Sequence, residues 1–190
     1  MKDRLNNLLA KFPLLLSTAQ KLNENDLIWM IGGSACLYLY GNGRMPGDID
    51  IYLPAAQHEL ANEIFGIESY VYRSPLENVK NSNPNGDHSI QLTSELEITK
   101  NGNIYYLEPT GLVLDSRKVI EVQDENFYFI SVEEALLIKA ILGRGADMGK
   151  QDIQDAKDFL KMYPKINSDY IQKRQKELAL PSDFFNAILK

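Results

Sequence analysis

The sequence predicts an α+β chain of mixed α/β character, in which a mixed β-sheet is flanked by helices and followed by a C-terminal helical segment. Three observations carry this prediction. The stretch "DLIWMIGGSACLYLYG", 26–41, reads as strand, glycine turn and helix; "HSIQLTSELEI", 88–98, alternates with period two into a "KNGN" turn; and from Ser131 onward the apolar spacing becomes helical. A chain of 190 residues, 44% hydrophobic and 24% charged, is long enough for a buried core. The expected organisation is a core over 1–130, including an N-terminal helix, with a helical segment over 131–190 packed on it.

In chain order, Leu5, Leu8, Leu9, Phe12, Leu15, Leu16, Ala19 and Leu22 form one apolar stripe at helical spacing, with Pro13 as a kink or break. The buried strand ending at Gly32 and Gly33 leads into a helix stopped by Gly41. "DIDIYL" is a second strand, and "PAAQHELANEIF" is a helix with Pro54 near its first turn. "SYVYRS" is a third strand, whereas 77–87, "ENVKNSNPNGD", is polar and turn-prone enough to read as a loop. In "HSIQLTSELEI" the expected faces are Ile90, Leu92, Leu96 and Ile98 against Gln91, Thr93, Glu95 and Glu97. Short strands are expected in "IYYLEP", "GLVLD", "KVIEV" and "NFYFI". Ser131 and Glu134 make a capping box before "ALLIKAIL", which ends at Gly143. A further helix starts near Asp152 and stops at Pro164, and a polar one carries Lys173, Arg174 and Lys176.

The net charge of −6 supplies no global positive field for a nucleic-acid backbone, so any such contact has to be local. A single cysteine, Cys36, closes no internal disulfide, and "MKDRLNNLLAKF" has charges among its leucines and no apolar signal core. The 27–45 stretch carries only Arg44 as a charge, but its four glycines and its length do not suit a bilayer span. The expectation is a cytoplasmic protein without a membrane segment.

Two constellations point to chemistry. In "IGGSACLYLYG" the glycines let backbone approach a ligand, and the N–H groups opening the helix, with the Ser34 hydroxyl, can cradle phosphate oxygens; a plain tight turn capped by Ser34 is the alternative. In "GDIDIYL", Asp48 and Asp50 share a strand face opposite Ile49, Ile51 and Leu53, with backbones roughly 6 to 7 Å apart. Two carboxylates so placed are either solvated at a strand end or bridge a divalent cation. The glycine-serine turn lies one short helix upstream, so neighbouring strands bring a phosphate cradle beside a metal cradle.

"GGSACLYLYG" followed by "RMPGDIDIYL" resembles the signature of the nucleotidyltransferase superfamily with the DNA polymerase β-like fold, and "LLIKAILGRGADMGKQDIQDAK" is similar to the helical tail of its minimal nucleotidyltransferase and abortive-infection, AbiEii-like toxin branch. The resemblance implies that Asp48 and Asp50 hold Mg²⁺ or Mn²⁺ and form the catalytic set with Lys139. It implies that Gly32, Gly33, Ser34, Arg44, Arg144 and Lys150 bind a nucleoside triphosphate, and that Asp152 and Asp155 support the site. From the residues alone, Asp152 can be a helix N-cap, Asp155 can pair with Lys150 or Lys157, and the Lys139 stem can snorkel to water. Members of the superfamily usually carry a third carboxylate on a later strand. The matching position here is Gln91, an amide that takes no proton, with Glu95 or Glu97 as substitutes after a bulge or register change.

The implied reaction transfers a nucleoside monophosphate from a triphosphate to a hydroxyl of a protein, a tRNA end or a small molecule. The alternative from another class is a degenerate scaffold that binds nucleotide or a protein partner, as an antitoxin or regulatory module. A weaker alternative reads the D-x-D pair as a sugar-nucleotide transferase metal site, a class that expects a longer α/β domain and that the early glycine-serine turn does not require.

Overall fold

The computed structural model describes residues 1–86 and 88–185. The N-terminal stripe forms two helices, α1 (Lys2–Lys11) and α2 (Leu15–Glu24), broken at Pro13. A two-residue strand β1 (Met30–Ile31) turns through glycine into α3 (Gly33–Tyr40), and β2 (Ile49–Tyr52) runs into α4 (Ala55–Phe65). Four strands follow: β3 (Ser69–Arg73), β4 (Glu77–Ser82), β5 (Ile90–Lys100) and β6 (Asn103–Tyr106). After α5 (Gly111–Ser116) come the hairpin β7 (Lys118–Val122) and β8 (Glu125–Phe129), then α6 (Val132–Leu142), α7 (Asp152–Met162) and α8 (Ser168–Glu177).

The strands make one mixed sheet in the order β3-β4-β5-β2-β1-β8-β7, with β6 paired to β5. The β2–β5 and β1–β8 pairs are parallel. One face buries Trp29, Ile31, Ile49, Ile51, Ile90, Leu92 and Phe127 beneath α1 and α2, and the other packs Met30, Leu37, Leu136 and Phe159 with the later helices. Trp29, fully buried, meets Phe127 and Tyr128 edge-on and donates its indole N–H to Asn23 at 2.7 Å. Trp29→Ala is expected to cost about 3–5 kcal/mol, checked by urea unfolding. Among the described residues no helix is long and apolar enough to cross a membrane.

Three expectations are corrected. The segment read as a loop over 77–87 begins with β4, which pairs with β3 on one side and β5 on the other; Asp87 lies outside the described residues. Its polar side chains find partners across the sheet: Asn81 accepts from Thr93 at 3.0 Å, and Ser82 meets the buried His58 ring at 3.2 Å. Tertiary pairing thus overrides low strand propensity. "GLVLD" is the helix α5 rather than a strand, because a five-residue apolar run has no period of its own and burying Val113 among the later helices decides it. In β5 the four predicted apolar residues do not share a face. Glu95 has φ +52° and the pairing with β4 shifts register beside it, so Ile90 and Leu92 enter one core while Leu96 and Ile98 enter the other.

Candidate functional site

The site begins where β1 ends. The Gly32 N–H donates to the Asp50 carbonyl at 2.8 Å, continuing the β1–β2 pairing, and Gly33 then turns at φ +56° into α3. Both glycines are required by close approach. A Cβ on Gly32 would stand 2.2 Å from the Tyr52 ring, and one on Gly33 would stand 2.4 Å from Asp50 Oδ2. The Asp50 carboxylate therefore lies against the opening turn of α3, and Ser34 is not its cap: the cap position is Gly32, with no side-chain bond. Gly33→Ala is expected to cost about 1 kcal/mol from backbone strain alone. Thermal unfolding checks this cost.

Asp48 precedes β2, and it lines a cavity of about 630 Å³ together with Asp50, Gly33, Ser34, Arg44, Lys139, Arg144, Lys150 and Gln91. Burial, then the neighbouring Asp48 charge, pushes the Asp50 carboxyl up to about 6. Tyr52, on the same face two residues on, is held neutral by burial and by Asp50.

Opposite these acids runs a chain of alternating charges. Arg44 Nε donates to Asp155 at 2.8 Å; Lys139 Nζ meets Asp155 at 3.2 Å and Asp152 at 3.0 Å; Arg144 reaches Asp152 at 2.6 Å and Glu77 at 2.7 Å. Three cations thus face three carboxylates. Burial opposes the Asp155 charge, yet Arg44 and Lys139 hold this carboxyl below its ordinary range. The structure corrects three residue-level alternatives. Lys139 does not snorkel to water: it is 5% exposed, with its ammonium between two aspartates. Asp155 pairs with Arg44 and Lys139, not with Lys150 or Lys157. Asp152 is not the cap of α7, since Gln151 holds that position. Lys150 stands exposed on the cavity rim.

In the parallel β2–β5 register Asp50 sits opposite Gln91, so an amide occupies the neighbouring position on the sheet. Glu95 and Glu97 do not replace it. The Glu95 carboxylate lies 3.7 Å from Lys80, Glu97 registers against Asn78 and Tyr106, and neither lines the cavity. Glu77 does line it, a residue missed because its strand was read as a loop; Tyr70 and Tyr72 also do, and their i, i+2 spacing in "SYVYRS" was the available signal. Among the described residues, no group of three or more His, Cys, Asp or Glu side chains is arranged to hold a metal ion. Asp48 and Asp50 are hard oxygen donors whose mutual repulsion a divalent cation relieves, and two carboxylates with substrate phosphates suffice for Mg²⁺. The donor set fits such an ion.

No family model matches the sequence, and no curated protein matches it significantly. Among solved structures, a Thermotoga maritima protein described as a candidate nucleotidyltransferase superposes on 74% of this chain and 89% of its own, with TM-score 0.57 and 16% identity. The fold is the nucleotidyltransferase fold. The antibiotic-resistance factor ANT(2'')-Ia (13% identity, 95% of this chain and 89% of its own, TM-score 0.45) and a Helicobacter pylori protein (16% identity, 94% and 78%, TM-score 0.44) are more distant likenesses. Within the nucleotidyltransferase fold of this chain, the glycine turn, the aspartate pair and the ion-pair chain surround a single cavity.

Proposed function

We propose that this protein is a metal-dependent nucleotidyltransferase that moves a nucleoside monophosphate from a nucleoside triphosphate to a hydroxyl acceptor. The observation that carries the reading is the Asp50 carboxylate set against the Gly33 turn with Asp48 beside it in one open cavity. Asp48 and Asp50 would hold Mg²⁺ or Mn²⁺. When bound, such an ion neutralises the triphosphate and polarises the acceptor hydroxyl. The N–H groups opening α3 and the Ser34 hydroxyl seat phosphate oxygens, and Arg44, Arg144 and Lys150 lie within the same cavity to meet the rest of their charge. Lys139 acts as a positioning residue: it holds Asp152 and Asp155, which in turn orient Arg144 and Arg44. Catalysis in this arrangement is mainly positioning and charge neutralisation.

The test is calorimetric titration of the four ribonucleoside triphosphates with and without Mg²⁺, into wild type and the Asp48→Asn, Asp50→Asn variant. Metal-dependent binding lost in the variant is expected. Binding that persists there would sink the assignment.

Gln91 opposite Asp50 favours a second reading, a scaffold that binds nucleotide or a protein partner without turnover. It predicts no transfer from any labelled triphosphate by wild type. Gln91→Asp, which adds the missing carboxylate, separates the readings. A gain of about 100-fold or more in labelled-nucleotide transfer, the scale of one acid-base group, from an undetectable wild-type level would favour the scaffold.

A further inference from the structure

The cavity continues past the aspartates to the outer edge of the sheet. There Tyr70 and Tyr72, on β3, face it two residues apart, roughly 6 to 7 Å along the strand. Both rings are open to solvent; Tyr72 is 47% exposed. The imidazole of His88 stands edge-on to Tyr70 at 6.3 Å, and Val79 and Leu96 supply an apolar floor. This face is the same one that carries Asp50, because Tyr70 and Tyr72 register against Asn81 and Val79, which also line the cavity.

The order of strands says which half of a reaction this end serves. β2 lies between β1, which feeds the phosphate-seating turn of α3, and β5, which leads through β4 to β3. In-line displacement puts the leaving group and the attacking group on opposite sides of the phosphorus. With the triphosphate on the β1 side, the attacking hydroxyl comes from the β5 side. Three strand spacings, about 14 Å, separate β2 from β3, so a group resting on the tyrosines belongs to the body of the acceptor.

Its chemistry follows from what lines this end. Among the described residues, the cavity-lining carboxylate on β3 and β4 is Glu77, engaged by Arg144 at 2.7 Å, which favours an uncharged group here over a polycation such as an amino sugar. Aromatic rings spaced along a sheet face are platforms for unstacked bases. Resting on the transferase reading above, we infer that the Tyr70–Tyr72 face is the acceptor subsite and takes an unstacked nucleobase of a nucleotide-bearing acceptor.

The experiment is a fluorescence titration of a single-stranded trinucleotide containing 2-aminopurine, in Mg²⁺ and saturating inorganic tripolyphosphate, against wild type, Tyr70→Ala/Tyr72→Ala and Tyr70→Phe/Tyr72→Phe. Wild type is expected to bind and quench the probe. The alanine pair should weaken it at least about fivefold, the low end for stacking one base, the phenylalanine pair should restore it, and tripolyphosphate affinity should stay unchanged in both. Absence of quenching by wild type, equal affinity in the alanine pair, or displacement by tripolyphosphate would overturn the inference. So would a tyrosyl peptide that binds this face when the trinucleotide does not. Failure of the transferase reading is seen separately, as tripolyphosphate binding indifferent to Asp48→Asn/Asp50→Asn.

Discussion

Replacing Asp50 with asparagine should abolish nucleotidyl transfer and, in metal-free buffer at pH 7, raise the stability of the protein. The two effects share a cause. Burial and the Asp48 charge lift the Asp50 carboxyl to about 6, well above the value of about 3.9 for an exposed aspartate. The folded state therefore binds this proton more tightly than the unfolded chain. Its contribution is fully present below about pH 4 and is lost as the pH rises through about 6. At neutral pH the ionised Asp50 then costs roughly 1–3 kcal/mol, the lower part of that range reflecting solvent screening at the open cavity. Asparagine removes this cost together with the pH dependence between about 4 and 6. Transfer is expected to fall by at least about 10²–10³-fold, the usual loss when a charge-stabilising group is removed. Chemical unfolding across pH in chelator, with a labelled-nucleotide assay beside it, checks both halves. Mg²⁺ should stabilise wild type and leave the asparagine variant unchanged. A destabilised variant at pH 7 would contradict the account.

The second large effect is expected at Lys139. Its ammonium sits between Asp152 and Asp155, and Lys139→Met leaves both carboxylates buried with one partner fewer. Breaking a buried pair from one side typically costs about 3–5 kcal/mol, so the variant should melt many degrees lower. The companion change Lys139→Met with Asp155→Asn should recover part of that loss, because it removes one of the stranded charges. This recovery, read by thermal unfolding, distinguishes an electrostatic role from a packing role. If the double variant is as unstable as the single one, the lysine acts by its stem.

Much of this was legible in local sequence. The glycine-serine turn, the alternation that places Asp48 and Asp50 on one face, and the Ser131 N-cap, where the Glu134 N–H donates to Ser131 Oγ at 3.2 Å, are short-range features that follow from dihedral freedom, strand period and cap chemistry; the Glu134 carboxylate, expected to complete a capping box, goes to Tyr170 and Arg174 instead. Glu77 and β4 were not legible. Their polar side chains match a loop, and only pairing with strands on either side makes a buried strand of them. The role of the cations was half legible. Lys139 interrupts an apolar run, a visible signal, but its partners lie 13 and 16 positions away and Arg44 meets Asp155 across 111 positions. The polar run "QKRQKE", 172–177, misleads in the same way at α8, where Arg174 is 1% exposed against Glu134.

By itself, then, the sequence determined the kind of fold, the glycine turn and the aspartate pair, because each is set by residues within a few positions of one another. Only the tertiary structure decided which charges neutralise which, that Gln91 and no glutamate of β5 faces Asp50, and that two tyrosines stand at the far end of the same cavity. Those outcomes depend on strand register, on the bulge at Glu95 and on the packing of α6 against α7, all of them long-range pairings whose free energy no local pattern encodes.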